Sequence, residues 1–285
     1  LAFKRKLPCK RRYPKLAQHF PLGISRRIIC KVEKNFIKKL SKNSHKYSHG
    51  TVAVIAGSPE YSGAALLCVG GARRGGSGYI NYISPDQFNR NLVVGAYPDV
   101  VVHKSIKGLA VDAWVIGPGS PKLGRRFAIP FSKFAVLDSA AMELAYRIRA
   151  DFVVITPHEG EARDLGFEIG EGEEGRQKSA LAMASALNCV VVLKGYHTVV
   201  ASPEGLVVQD DLGGAELATA GTGDILAGLI GSMLASWNPS NFNDVVVVVF
   251  KAISAHALAA QAAANDLRPI TSSDILKYLP ITLKQ

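Results

Sequence analysis

The sequence predicts an α/β fold in which a mostly parallel β-sheet is covered by helices on both faces and ends in an antiparallel edge hairpin. Three observations carry this. Short β-branched and apolar runs recur at 51–56, 79–83, 100–103, 113–116, 134–137, 152–155 and 189–193, and such continuous apolar character is that of strands buried on both faces. Helix-like stretches at 64–74, 140–149 and 173–187 stand between several of them, the alternation that builds βαβ units. Runs at 198–201 and 206–208, separated by Ser-Pro-Glu-Gly, read as a hairpin.

Taken in order, residues 1–44 are expected to form a basic arm or linker and 45–285 a single domain. Pro8, Pro14 and Pro21 break the early chain, and only a weak helical period follows around 32–40. Residues 1–49 carry fifteen Lys and Arg against one acid, Glu33, while the other nineteen bases face 22 acids, so the net charge of +11 belongs to the arm. A solvated lead-in and an arm for an acidic partner both fit this charge. The arm's aromatics (Phe3, Tyr13, Phe20, Phe36 and Tyr47) lack the recurring pattern of a single-strand reader, which makes nucleic acid an unexpected partner.

The first strand ends at Gly57, and the C-terminal third becomes helical at 222–236, 243–265 and 272–278, the last with Ser272 or Ser273 as its N-cap. No internal repeat is present. The longest apolar stretches, such as 245–250 before Lys251, fall short of the roughly 20 residues of a membrane span, so no membrane is expected. Cys9, Cys30, Cys68 and Cys189 lie far apart without a C-x-x-C pair. They indicate neither a zinc site nor a disulfide framework and point to reducing cytoplasm. The first residues also lack a signal peptide's apolar core.

The strongest local signal is Ala220-Gly221-Thr222-Gly223-Asp224 followed by ILAGLIGSML, an all-apolar helix that must be buried. Gly221 and Gly223 let the backbone approach a ligand, the helix start offers unpaired N–H donors, and Asp224 adds a carboxylate in the first turn. A tight turn with a capping acid fits the same residues. Lys194-Gly195 ends an apolar strand, placing an ammonium at the sheet's carboxyl end, where open α/β folds bind ligands; a solvated edge charge is its other reading. Gly117-Pro118-Gly119 is a side-chain-poor strand exit that suits a bulky ligand or a plain loop. Within ITPHEGE, His158 and Glu161 lie three apart at a helix start. They suit a capping box, or a substrate contact by His158 with Glu161 holding a water on a Mg²⁺ that bridges phosphates. Ser58, Tyr61, Ser62, Gly63 and Ala64 form a further glycine-containing exit.

The ordered motifs AGS-x-x-YSGAA, GARRGGSGYI, IGPG, VLDS, ITPHEGEARDLG, VVVLKG-x-x-T and LATAGTGDILAGLIGSMLA resemble those of the ADP/ATP-dependent NAD(P)H-hydrate dehydratases. These repair enzymes have a ribokinase-like three-layer sandwich and are often fused to an epimerase domain. The resemblance runs from about His45 to about Ala264. It implies that Ala64, Gly119 and His158 contact a hydrated NADH or NADPH, with Gly117 shaping the same loop. Lys194, Gly195, Tyr196, His197 and Thr198 would line the phosphates and ribose of ADP or ATP, Gly223 would bind the nucleotide through its backbone beside Gly221 and Thr222, and Asp224 would meet the hydrate hydroxyl. The sequence departs from the family pattern at three places. D-A-D is Asp138-Ser139-Ala140, G-P-G-L-G ends in Ser120-Pro121, and the P-G-E of the histidine motif is Glu159-Gly160-Glu161.

The expected activity is therefore a hydro-lyase with Asp224 as catalytic base, ADP or ATP as co-substrate and Mg²⁺ as cofactor. A homo-oligomer and a separate epimerase are the expected partners. A ribokinase-like kinase of a vitamin-precursor alcohol is the alternative enzyme, and a nucleotide-dependent nucleic-acid-binding protein the alternative of another class.

Overall fold

The computed structural model describes residues 36–39, 41–120, 123 and 127–283. Its strands are β1 (Thr51–Ile55), β2 (Tyr79–Ile83), β3 (Val101–His103), β4 (Ala113–Ile116), β5 (Ser132–Leu137), β6 (Ala150–Ile155), β7 (Val190–Leu193), β8 (Val199–Ala201) and β9 (Val207–Gln209). Its helices are α1 (Ser62–Ala72), α2 (Gln87–Ala96), α3 (Glu159–Asp164), α4 (Gly172–Leu187), α5 (Thr222–Trp237), α6 (Phe242–Asp266) and α7 (Ser272–Thr282).

All nine strands join one sheet in the order β3-β2-β1-β4-β5-β6-β7-β8-β9. The first seven pair in parallel and the β8–β9 hairpin runs antiparallel at the edge. Alternate strand residues feed two cores, as the two-residue period of a strand requires. Val52, Val54, Val115, Val136, Val190 and Val192 pack with α1, α5, α6 and α7 on one face. Ala53, Trp114, Ile116, Leu137, Val191 and Leu193 pack with α3 and α4 on the other. The result is the expected three-layer α/β sandwich.

Three local expectations are corrected. Helix α7 is capped by Thr271, in a reciprocal box with Asp274, and not by Ser272 or Ser273. The stretch 140–149 is not an α-helix: Ser139–Leu144 forms a 3-10 turn. Ser139 sits at φ +50°, outside the right-handed helical region, and β6 begins at Ala150 in register with Ser132. Helix α2, which apolar periodicity did not reveal, is started by Asp86, whose carboxylate accepts from the Phe88 and Asn89 amides. That side-chain cap satisfies helix-end donors.

Helix α5 is pressed into the molecule by contacts only glycine allows. A Cβ at Gly228 would lie 1.9 Å from the Cys68 carbonyl oxygen, and one at Gly71 would lie 2.1 Å from that of Ile225. Helices α1 and α5 therefore meet backbone to backbone, and this crossing fixes where α5 begins. Leu229, Ile230 and Met233 are fully buried, and truncating any of them to Ala would cost about 2–5 kcal/mol. Helix α6 is long and apolar enough to cross a membrane by length and composition, although its apolar run is interrupted by Lys251, but 78% of its most apolar window is buried in this fold.

Residues 1–35 of the basic arm lie outside the described residues. The next residue, Phe36, is buried, and its carbonyl accepts from the Trp237 indole at 3.2 Å at the end of α5.

Candidate active site

The strand order brings the carboxyl ends of β1, β4, β5, β6 and β7 to one rim of the sheet, and α5 points its start at the same rim. Lys194, just after β7, is the hub. Its Nζ lies 3.0 Å from Asp138 Oδ1 at the end of β5 and 3.6 Å from Glu161 Oε2 in α3. Asp138 is 3% exposed and also accepts from the hydroxyls of Thr156 at 2.5 Å and Ser139 at 3.0 Å. Burial penalises its carboxylate, yet the Lys194 ammonium and these hydrogen bonds hold its pKa below the usual value. Burial likewise works against the Lys194 ammonium, and the charges of Asp138 and Glu161 outweigh it to keep the pKa raised. The pair is thus a fixed, charged anchor.

Asp224 stands half-buried in the first turn of α5. Burial, reinforced by the Asp138 charge, pushes its carboxyl up to about 7, against the pull of Lys194. The two aspartates are therefore driven apart in acidity, the condition under which one holds charge and the other moves protons. The helix start is open: Gly221 takes φ +89° as N-cap, with no side chain capping the helix. The Thr222 hydroxyl turns away to the carbonyls of Leu217 and Thr219. A Cβ at Gly223 would meet Lys194 Nζ at 3.5 Å. Bare N–H donors, an ammonium and a poised carboxyl thus share one small volume. Behind the turn, His256 of α6 is fully buried and its pKa is pushed down to about 4 by burial, against a hydrogen bond to the Thr222 backbone.

Gly117 and Gly119 face the same rim for steric reasons. Gly117 has φ +119°, and a Cβ there would sit 1.9 Å from the Asp138 carbonyl oxygen. A Cβ on Gly119 would come within 2.3 Å of that of Ala64, so the exits of β1 and β4 touch, helped by the Gly57 amide donating to the Pro118 carbonyl at 2.7 Å. His158 is the N-cap of α3 and forms a reciprocal capping box with Glu161: its amide donates to Glu161 Oε2 at 2.8 Å, and its Nδ1 accepts from the Glu161 amide at 3.2 Å. The ring stays largely exposed. Glu161 serves this cap and the Lys194 contact together. The Lys194 amide donates to the Pro157 carbonyl at 2.8 Å, which ties the β6 and β7 exits.

Beyond Lys194, Gly195 and Tyr196 are exposed, Tyr196 and His197 make an edge contact at 4.7 Å between centroids, and Thr198 is buried with its hydroxyl toward the Gly195 carbonyl at 3.4 Å. An open groove of about 690 Å³ lies close in sequence to the α5 start, lined by Ala215, Glu216, Ala218, Thr219, Ala264, Arg268, Pro269 and Ile270. Among the described residues no group of three or more His, Cys, Asp or Glu is arranged to hold a metal ion. The donor set at the rim, carboxylates beside an ammonium, suits a hard cation carried mainly by phosphate oxygens.

Sequence reasoning had Lys194, Glu161 and Asp224 but treated Asp138 only as part of an altered motif. Its signal was present: a lone acid closing the apolar strand Val-Leu-Asp at the carboxyl edge.

Comparison with known proteins shows the family. A family model described as NAD(P)H-hydrate dehydratase matches residues 52–281. The bifunctional NAD(P)H-hydrate repair enzyme Nnr of Corynebacterium glutamicum is 33% identical over 273 residues, which cover 82% of this chain and 47% of that protein. This chain thus spans about half the length of such bifunctional relatives. The ADP-dependent (S)-NAD(P)H-hydrate dehydratase of Neisseria meningitidis is 30% identical over 275 residues, covering 86% of this chain and 88% of that one. The crystal structure of the ADP/ATP-dependent NAD(P)H-hydrate dehydratase from Bacillus subtilis, co-crystallised with ATP and Mg²⁺, superposes with a TM-score of 0.73 at 28% identity, covering 86% and 93% of the two chains. The chain belongs to the NAD(P)H-hydrate dehydratase family.

Proposed function

We propose that this protein repairs hydrated NADH or NADPH by nucleotide-dependent dehydration. The observation that carries the reading is the Asp224 carboxyl, raised to about 7 beside Lys194 and an uncapped glycine-rich helix start. Asp224 takes the proton of the hydrate's hydroxyl, and that oxygen attacks the terminal phosphoryl group of ADP or ATP, releasing the shortened nucleotide. The new carbon–oxygen–phosphate link then breaks, the ring double bond returns as a neighbouring ring proton is lost, and inorganic phosphate departs. Phosphoryl transfer mainly needs positioning and neutralisation of charge. The amides of the Gly221–Gly223 turn and the Lys194 ammonium meet the phosphates, and Asp138 keeps that ammonium charged and in place.

Lys194, Gly195, Tyr196, His197 and Thr198 are assigned to the nucleotide, with the neighbouring groove receiving its nucleoside end. Ala64, Gly117, Gly119 and His158 are assigned to the hydrated dinucleotide, whose passage along the rim is eased by the bare β4 exit. Glu161 would hold a Mg²⁺ through water, and that ion would supply charge neutralisation between phosphates. The domain proper is taken as 45–285. The buried thiols of Cys68 and Cys189 suit a reducing compartment such as the cytoplasm, and an epimerase activity is the companion this reaction calls for.

The test is to incubate the protein with hydrated NADH plus ADP or ATP and follow the absorbance of regenerated NADH. Recovery with either nucleotide is expected. No recovery with both would contradict the reading.

A further inference from the structure

The two sides of the site are joined by one cation that the proposed chemistry does not use. Arg176 projects from α4 with its side chain only 16% exposed. Its Nη1 pairs with Glu159 Oε1 at the first residue of α3. Its Nη2 donates to the main-chain carbonyls of Lys194 at 3.2 Å and Leu193 at 3.4 Å. The guanidinium therefore spans from the helix capped by His158 to the peptide that begins the proposed nucleotide turn. A planar fork with several fixed donors can serve an acid and two carbonyls at once, which an ammonium cannot.

Two further features mark the bridge as specific. A Cβ at Gly195 would lie 2.5 Å from Arg176 Nη2 and 3.1 Å from its Cζ, so the bare Cα at 195 is what lets the guanidinium reach these carbonyls. Glu159 also meets Arg163 Nη2 at 3.2 Å and would keep a basic partner without Arg176. Pairing Glu159 is therefore not what requires the buried arginine.

We propose that Arg176 is a positioning residue that couples the two halves of the site, holding the Lys194–Gly195 peptide in fixed relation to the helix that presents His158. The inference rests on the assignment of 194–198 to the nucleotide. Arg176 acts through the peptide and needs no contact with either ligand. Without it the β7 exit keeps the Lys194–Pro157 hydrogen bond but loses its tie to α4, and the ammonium that neutralises phosphate is held less well.

The test is steady-state repair of hydrated NADH with the nucleotide varied, for wild type, Arg176→Gln, Arg176→Lys, Glu159→Gln and the Glu159→Gln/Arg176→Gln double variant, with thermal melting of each. Arg176→Gln is expected to raise the nucleotide KM roughly 10-fold while kcat stays within about threefold. Glu159→Gln is expected to give a smaller rise, and the double variant no more than Arg176→Gln alone, because both act through one bridge. Arg176→Lys is expected to recover part of the loss.

An unchanged nucleotide KM for Arg176→Gln in an otherwise active enzyme would overturn this inference alone. So would single effects that multiply in the double variant, or a KM that returns to wild type once the assay is run well below the variant's melting temperature. A wild type that neither binds nucleotide nor repairs the hydrate would overturn the proposed function and this inference with it.

Discussion

The start of α5 and the β5–β6–β7 rim reach the same point in different ways. The α5 start is local: Gly221, Thr222, Gly223 and Asp224 are consecutive, and the anion-binding capacity comes from backbone donors that any such turn would expose. The rim is assembled. Asp138, Thr156, Glu161 and Lys194 come from four segments spread over 57 residues of sequence and meet because β5, β6 and β7 lie side by side in parallel register. The local element supplies the reactive carboxyl, and the assembled one sets its acidity, since the Asp138 charge helps raise Asp224 while Lys194 opposes it. A binding turn is thus readable from a few residues, whereas the field around it is a property of the sheet.

The largest way to break the comparison is to remove the reactive group and leave its surroundings. Asp224→Asn should retain nucleotide binding but lower turnover by roughly 100-fold or more, the scale of losing a general base. Asn preserves size and caps helices, so the capping reading of Asp224 predicts near wild-type turnover in the same assay. Calorimetric affinity and single-turnover rate, measured on one preparation, separate the two.

The next effect falls on the backbone cradle. Gly223→Val should weaken nucleotide affinity by about 10-fold or more, since a branched side chain would project beside Lys194 and block close approach to the helix start. The fold should survive, because the nearest protein atom to a Cβ there is 3.5 Å away. An unchanged dissociation constant by calorimetry would count against a phosphate at this turn.

A smaller effect concerns stability against pH. The folded-state pKa of Asp224 is raised to about 7, so the native chain holds this proton more tightly than the unfolded one. The resulting stabilisation is full below the usual carboxylate value near 4 and is lost as pH rises through about 7. Asp224→Asn, which cannot ionise, should therefore melt close to wild type at pH 4 and higher than wild type at pH 8. Melting curves that keep a constant separation across this range would contradict the buried-carboxyl account.

The smallest effect lies at the arm. Phe36→Ala should lower the melting temperature by several degrees, in line with partial loss of a buried aromatic at the edge of a domain of this size, while KM values stay unchanged. Removing residues 1–34 should leave both melting and turnover near wild type.

How much of this was legible in the sequence follows from the same contrast. The strands were readable because each is a continuous apolar run, and the β8–β9 hairpin because Ser-Pro-Glu-Gly punctuates two short ones. The helix expected at 140–149 failed because Ala-rich composition favours a helix, while Ser139 takes φ +50° and only a 3-10 turn follows it. Helix α2 was missed because its first turn depends on the Asp86 cap, and only Asn89, Arg90 and Val93 are buried. In the site, the Gly221–Asp224 turn, Lys194 and the His158–Glu161 pair were visible as motifs. The Asp138–Lys194 contact and the Arg176 bridge were not, because nothing within either segment says which strands will be neighbours. The glycines were visible as punctuation, but their reasons were not: Gly117 is required by the Asp138 backbone and Gly119 by Ala64.

The most direct test of the account is the titration of Asp224 itself. Carboxyl carbon shifts followed by NMR from pH 4 to pH 9, in the wild type and in Asp224→Asn, identify the resonance without any dependence on substrate ionisation. The account predicts a midpoint at about 7 that disappears in Asp224→Asn and moves down in Asp138→Asn, where a neighbouring negative charge is removed and Lys194 is freed to face Asp224. A midpoint near 4 in the wild type, or one indifferent to Asp138→Asn, would contradict it.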